Sequence, residues 1–190
     1  LIDRYTAYQL LSDRWTDIAG DLEILQTEGF DAARIVEPNM VEKKRGGKDV
    51  EVQEGWRGRI IPFEVVQQSL LRPQLDALTA QQTRLTEIAA QLADTLESLS
   101  EEEKEHPAIN EAKTNWLAAE VNRTAKEIKD ELPKGAQPEE DTFEAKIVTV
   151  AALLAEERTV KKAVSDDSDA LHLLTKSTIE QLTDEQTYDR

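Results

Sequence analysis

Residues 71–99, LRPQLDALTAQQTRLTEIAAQLADTLESL, place apolar side chains at alternating steps of four and three. The nine positions of this heptad seam are Leu71, Leu75, Leu78, Gln82, Leu85, Ala89, Leu92, Leu96 and Leu99, seven of them leucine. Such a seam is typical of helices that pack as a coiled coil, and the nearly uncharged flanking positions offer little to hold a parallel copy in register. We therefore predict an antiparallel partner within the chain, namely the helix through Val121 and Ile128.

On the N-terminal side of the heptad, a helical pattern gives way to short strands. Apolar residues recur at steps of three and four over residues 8–25, which predicts a helix that ends near Gly29. Over residues 34–61, short apolar runs are set among polar residues, and Gly46 and Gly47 lie between two of these runs. Two glycines between such runs indicate a tight turn. We predict a small β-hairpin or a three-stranded meander in this segment.

On the C-terminal side, three more helical patterns follow. An acidic turn at 101–107 precedes a three-four alternation over 118–132, and the prolines and glycine within 133–138 break that helix. A further helical pattern covers 139–164, and a last amphipathic stretch covers 169–182. Before the heptad, Pro62 fits the first turn of a helix, and Pro73 restarts or kinks it.

The predicted fold class is mainly α. We expect long helices with an antiparallel coiled-coil hairpin, plus the small β-hairpin or meander near residues 34–61. Three regions follow from these patterns: 1–61 with the first helix and the hairpin, 62–132 with the helical coiled-coil hairpin, and 139–190 with the C-terminal helices.

Composition excludes several classes of site. The chain has 190 residues, a formal charge of −16 and no cysteine, and its two histidines, His106 and His172, lie far apart in sequence. Disulfides, thiolate metal sites and histidine-based triads are therefore not expected. The longest apolar runs fall far short of the roughly 20 residues of a membrane span. We find no phosphate-binding glycine loop, zinc motif or nucleophile elbow, and we predict no catalytic, metal-binding or cofactor-binding residue in this chain.

One locally basic segment stands out in this acidic chain. Its cations are Lys43, Lys44, Arg45 and Lys48 around the glycine pair, with Arg57 and Arg59 nearby. Clustered Lys and Arg are suited to a phosphate backbone, so these six residues are candidate DNA contacts. The alternative is a solvated hairpin tip. Trp56 is expected at the surface as a further contact residue, and the acidic run at 101–105 is expected to form a solvated turn, because it lacks the spaced ligands of a calcium loop.

Running sequence over most of the chain resembles a known family. The stretch AGDLEILQTEGFDAARIVEPNMVEKKRGGKDVEVQEGWRGRIIPFEVV, residues 19–66, and LTEIAAQLADTLESLSEEEKE, residues 85–105, resemble the C-terminal part of the modification subunit of type I restriction-modification systems. The resemblance implies a parent protein that transfers a methyl group from S-adenosylmethionine to adenine N6 of a flipped-out base. The family's N-P-P-F motif and F-x-G-x-G cofactor loop are absent here, so no catalytic or cofactor-binding residue is carried over.

The same resemblance implies partners. The specificity subunit and the restriction subunit would bind the parent, and DNA would be reached through the assembled complex in the cytoplasm. Region 1–61 would end the preceding catalytic domain, and region 139–190 would contact other subunits. The candidate interface residues are Leu153, Leu154, Leu171, Leu174, Ile179 and Leu182. Because the chain begins with Leu1 and its one methionine is Met40, we expect a piece of a longer protein.

Two other hypotheses remain open from the sequence. The chain fits a free-standing helical coiled-coil scaffold or adaptor that self-associates through the heptad, and a start codon near Leu1 would favour it. It also fits a DNA-binding hairpin module, which predicts salt-sensitive duplex binding that is lost when Lys43, Lys44 and Arg45 are replaced.

Overall fold

A computed structural model describes residues 9, 15, 19–133 and 136–188, and the side chains up to residue 186. The described chain is mainly helical and contains one two-stranded antiparallel sheet, which confirms the predicted fold class at this level. The chain divides into two compact units. Unit 1 comprises Leu1–Leu75 and Ser168–Arg190, and unit 2 comprises Asp76–Asp167.

The elements follow the sequence in this order. Helix α1 covers 19–28, a 3-10 turn covers Phe30–Arg34, strands β1 and β2 cover Val36–Arg45 and Lys48–Gly58, and helix α2 covers Phe63–Ser69. Helix α3 covers Arg72–Glu97, a second 3-10 turn covers Glu103–Glu105, and helices α4, α5 and α6 cover Ala118–Glu131, Phe143–Glu180 and Asp184–Tyr188. The predicted N-terminal helix lies in part outside the described residues. Before α1 only residues 9 and 15 are described, and both are helical.

The predicted glycine turn is present between β1 and β2. Gly46 and Gly47 have φ of 59° and 79°, the backbone that a two-residue hairpin turn requires. The strands pair with Arg45 opposite Lys48, and the register shifts between Pro38 and Met40. In the described residues the sheet therefore has two strands, and the three-stranded alternative is excluded.

Prolines set the boundaries of the next two helices. Pro62 immediately precedes α2, which ends at Ser69, and Pro73 lies in the first turn of α3. Proline lacks the amide that a helix interior needs, but the first turn has no intrahelical partner for that amide. The prediction that Pro73 restarts the helix is confirmed.

One predicted boundary is wrong. The patterns at 139–164 and 169–182 were expected to form separate helices, but α5 runs without a break over Phe143–Glu180. The residues between the two patterns are Ser and Asp with no Pro or Gly, and their side chains are exposed. Polar residues interrupt an apolar pattern without breaking the backbone hydrogen bonds, so the helix continues.

Unit 2 has a core built from α4, α5 and the segment before α4. Its fully or nearly buried residues are Ala108, Val121, Ala125, Ile147, Val150 and Ala151. Leu92 of α3 and Trp116 pack against this cluster, and the Trp116 indole Nε1 donates a hydrogen bond to the Leu92 carbonyl at 3.0 Å. Leu96, Leu99 and Ile109 form a second cluster that also contacts Trp116. The helix predicted over 118–132 is thus confirmed as α4.

The packed face of α3 departs from the heptad seam in the middle of the helix. Ile88, which the heptad assigns to a flanking position, is completely buried, whereas the seam residues Gln82 and Ala89 are exposed. An α-helix has 3.6 residues per turn, so a straight helix drifts away from a 3.5-residue repeat. From Leu78 to Leu92 the inner face follows the helix rather than the heptad.

Polar side chains link α3 to α5 within unit 2. The Arg84 guanidinium donates two hydrogen bonds to Glu156, at 2.7 and 2.9 Å, and Gln81 donates one to Asp167 at 2.6 Å. Higher numbers on α3 match lower numbers on α5, so these two helices run antiparallel here.

Candidate functional site

The six basic candidates fall into two groups in the structure. From Met40 to Gln53 the strands are regular, and side chains alternate between the two faces of the hairpin. Lys43, Arg45 and Lys48 therefore share one face, together with Val41, Val50 and Val52. Lys44 lies on the opposite face with Glu42, Asp49 and Glu51. We call the first of these the cationic face.

The cations at the hairpin tip differ in their partners. Lys43 forms an ion pair with Glu54 at 2.7 Å. Among the residues that the structure describes, Lys44, Arg45 and Lys48 have no ion-pair partner, and Arg45 lies directly across the ladder from Lys48. Like charges in directly opposed positions destabilise an antiparallel pair. The tip thus keeps two adjacent cations without a carboxylate to neutralise them.

Arg57 and Arg59 lie at the opposite end of the hairpin and are ion-paired. Arg57 contacts Glu37 at 3.5 Å, and Arg59 contacts Glu28 at 2.6 Å and Glu37 at 3.6 Å. At about 3.3 Å per residue, Arg57 is about 30 Å along the strand from Lys48. The structure therefore does not bring the six candidates into one patch.

The expectation that Trp56 is an exposed contact residue is wrong. Its ring is half-buried beneath the Lys176 ammonium, which lies 3.6 Å from the ring centroid. Its backbone N–H donates a hydrogen bond to Nε2 of His172 at 2.8 Å. The cation–π contact and this hydrogen bond attach the base of β2 to α5 within unit 1.

His172 makes two further contacts at this attachment of β2 to α5. The sequence analysis did not predict them. Its ring packs on Phe63 with centroids 4.9 Å apart. Gly55 has φ of 75°, and a Cβ at this position would lie 2.6 Å from Nε2 of His172. A glycine inside a strand often marks a close approach by another group, so Gly55 was the available signal.

The predicted subunit-contact residues are mostly part of the chain's own core. Leu153, Leu171, Ile179 and Leu182 are buried, and Leu154 packs partly against the unit 2 core. Leu174 is 39% exposed and its neighbour Leu173 is 58% exposed. Of the six candidates, Leu174 is thus the one that α5 presents most openly.

Unit 1 also contains an apolar groove. Its volume is about 310 Å³, and it is lined by Leu25, Phe30, Ala33, Ile60, Ile61, Pro62, Val65, Val66, Ser69, Leu70, Leu182 and Gln186. Among these, Phe30 and Val65 are large apolar residues that remain exposed. A concave apolar surface of this kind is suited to an apolar side chain of a ligand or partner.

The acidic turn at 101–105 is held by local contacts. Ser100 and Glu103 form reciprocal hydrogen bonds: the Ser100 N–H donates to Glu103 Oε2 at 2.7 Å, and the Glu103 N–H donates to Ser100 Oγ at 3.2 Å. The first of these bonds lowers the pKa of Glu103 from its ordinary value. Hydrogen bonds from Lys104 and Arg84 lower the pKa of Glu101 and of Glu156, respectively.

Comparison with protein-family models, with curated proteins and with solved structures gives no match.

Within the described ranges, no helix combines the length and the apolar character needed to cross a membrane. Nor does this part of the chain contain a group of three or more His, Asp or Glu side chains placed to hold a metal ion.

Proposed function

We propose that the chain is the C-terminal, non-catalytic region of the modification subunit of a type I restriction-modification system. In this role it mediates assembly with the specificity subunit around DNA, in a complex that the restriction subunit can join. The parent protein transfers a methyl group from S-adenosylmethionine to adenine N6. The resemblance of residues 19–66 and 85–105 to this family is the starting point of the proposal.

The distribution of exposed apolar side chains supports an assembly role. Among the described residues, ten large apolar side chains are exposed, and all except Leu117 belong to unit 1. The nine in unit 1 are Trp15, Leu22, Phe30, Ile35, Met40, Val50, Val65, Leu173 and Leu174. Apolar surface that stays in contact with water marks interaction sites when it is concentrated in one region. Phe30 and Val65, which are exposed and both line the apolar groove, are the observation that carries the proposal.

We assign the apolar groove of unit 1 to a helix of the specificity subunit. A helix with leucines at steps of three and four would place one apolar side chain in the groove and further ones on the exposed residues beside it. Phe30 and Val65 lie at the groove and are exposed, so they are the first residues that such a helix would meet.

We further propose that α3 belongs to an antiparallel coiled-coil arm. The ion pair of Arg84 with Glu156 supports α5 as a partner along the middle of α3, and the contact of Leu92 with the core around Val121 supports α4 near its end. A rigid arm of this kind would hold unit 2 ready for other subunits of the complex.

Methyl transfer belongs to the parent rather than to this chain. The chain contains neither the cofactor loop nor the N-P-P-F motif. Among the described residues that line the apolar groove, only Ser69 and Gln186 are polar. These do not fit a cofactor that carries an amino group, a carboxylate and a sulfonium. No catalytic step is therefore assigned to any residue here.

The test is co-elution of the chain with a type I specificity subunit from the same genome on size exclusion. We expect a complex, and we expect the double variant F30S/V65S to weaken it by at least about tenfold, since two buried apolar contacts of about 1–2 kcal/mol each are lost. The matched control is Leu117→Ser, which removes the exposed leucine of unit 2 and should leave the complex intact.

Two results would count against the proposal. A chain that never associates with the specificity subunit has no assembly role of this kind. A chain that elutes as a dimer by itself and ignores the specificity subunit is instead a scaffold or adaptor.

A further inference from the structure

We propose that the cationic face of the hairpin, formed by Lys43, Arg45 and Lys48, binds the phosphate backbone of duplex nucleic acid. This inference is independent of the assembly role and narrows the six sequence candidates to three. Lys44 is excluded because it lies on the other face, and Arg57 and Arg59 are excluded because they lie at the far end of the ribbon, away from the tip.

The hairpin is asymmetric in charge. The cationic face carries three cations and one carboxylate, Glu54, which pairs with Lys43. The opposite face carries the carboxylates of Glu42, Asp49 and Glu51 and the single cation Lys44. A polyanion is attracted to the first face and repelled by the second. The ribbon can therefore approach a phosphate backbone in one orientation only.

The tip keeps an unfavourable juxtaposition that an anion would relieve. Arg45 and Lys48 are directly opposed on either side of the glycine turn, and neither has an ion-pair partner in the described residues. A phosphate between them would replace like-charge repulsion by two charge-assisted hydrogen bonds. Both side chains are exposed, so a ligand reaches them without rearrangement of the fold.

The shape of the ribbon favours a duplex over a single strand. Two paired strands lie about 4.8 Å apart, and the major groove of B-DNA, about 12 Å wide, admits such a ribbon. Between Met40 and Gln53, the other residues on this face are Val41, Val50 and Val52, and none of them offers an aromatic ring on which an unpaired base would stack. The valines instead suit contact with apolar base edges in a groove.

Titration of a fluorescent DNA duplex of about 20 base pairs with the full chain tests the proposal by anisotropy. Each neutralised phosphate contributes about −0.9 to the slope of log K against log salt. Three contacts predict an affinity loss of about 40-fold between about 50 and 200 mM salt. In the variant R45A/K48A one contact remains, and we expect weaker binding at low salt and a loss of only about threefold over the same range.

The control is Lys44→Ala, which removes one cation from the opposite face two residues from the turn. It should keep both the affinity and the salt slope of the unmodified chain. Thermal melting should not be lowered in any of the variants, because these side chains are exposed.

The proposal fails if the unmodified chain shows no duplex binding at low salt, or if Lys44→Ala weakens binding as much as Arg45→Ala does. It also fails if poly-glutamate competes as well as duplex DNA at equal charge, which would identify an acidic protein segment as the ligand. Preference for single-stranded over duplex DNA would contradict the proposal that the hairpin binds in the groove of a duplex.

Discussion

At the scale of single residues, the contact between Gly55 and His172 positions the base of the hairpin. The Trp56 N–H donates a hydrogen bond to Nε2 of His172, which is therefore the acceptor nitrogen of the ring. The left-handed backbone at Gly55 lets the strand approach the imidazole ring to a distance that no side chain would allow. The conformation of Gly55, the position of Trp56 and the turn of α5 with His172 and Lys176 thus depend on each other.

We predict that Gly55→Ala destabilises the chain by about 2–4 kcal/mol, because the methyl group adds a steric contact to the strain of a positive φ. The matched control is Gly47→Ala, which has a φ of 79° and open space around it, and should cost only about 1 kcal/mol. Urea unfolding monitored by tryptophan fluorescence measures both. Removing the ring with His172→Ala should bring the cost of Gly55→Ala close to that of the control. Equal costs of the two glycine substitutions in the unmodified chain would contradict the contact.

A second residue-scale prediction concerns acid stability. The pKa of Glu103 is lowered in the fold by the hydrogen bond from the Ser100 N–H. Its stabilising contribution is therefore complete above its ordinary pKa of 4.5 and is lost as the pH falls through the lower folded value. We expect melting curves to show declining stability below pH 4.5 and Glu103→Gln to flatten part of this decline. Ser100→Ala leaves the backbone donor in place, so it should retain most of the pH dependence. A pH profile of Glu103→Gln identical to that of the unmodified chain would refute this.

At the scale of secondary-structure elements, the register of α3 decides which residues hold the helix. The heptad assigns Gln82 and Ala89 to the packed seam, whereas the structure buries Ile88 and leaves those two residues exposed. Two registers that differ by one residue predict opposite effects for neighbouring substitutions, so mutagenesis separates them.

We predict that Ile88→Ala costs about 2–5 kcal/mol, the range for a buried aliphatic side chain truncated to alanine. Gln82→Ala should change the free energy of unfolding by less than about 0.5 kcal/mol, because its side chain is exposed. Denaturant unfolding of both variants provides the comparison. If Gln82→Leu stabilises the chain and Ile88→Ala is neutral, the heptad seam is the packed face after all.

Local signals predicted most elements, whereas contacts between distant residues were not predictable. The turn at Gly46 and Gly47 and the restart of the helix at Pro73 follow from the backbone preferences of those residues alone. The continuity of α5 was missed because the apolar pattern stops at Ser165 although the helix does not. The place of Trp56 beneath Lys176 was missed because the two residues are far apart in sequence, and no local pattern encodes their contact.

The candidate sites show the same limit. The strand alternation and the glycine turn were sufficient to separate Lys44 from Lys43 and Arg45, once the register was known. The ion pair between Arg59 and Glu28 could not be predicted without the position of α1. Burial of Leu171 and Ile179 could not be distinguished from an interface role, since both roles place an apolar stripe on one side of a helix.

At the scale of the whole molecule, the charge of −16 opposes compact folding by self-repulsion. We predict that raising salt from about 20 to 300 mM stabilises the chain by roughly 1 kcal/mol, or about 2–4 °C in Tm, because screening reduces the net repulsion more than it weakens exposed ion pairs. Thermal melts at a series of salt concentrations measure the effect. A Tm that falls with salt would mean that the ion pairs contribute more than the repulsion costs.

The hydrogen bond at Trp56 has a further consequence for the behaviour of the chain at high concentration. A two-stranded sheet has no neighbour on either side, and free backbone groups along its edges invite the addition of foreign strands and hence aggregation. At the base of this sheet, Trp56 already donates its amide to His172, and its partner Pro38 has no amide to donate. The sheet is thus closed to an incoming strand at one end by an imidazole and a proline, and shielded at the other by its lysines and arginine.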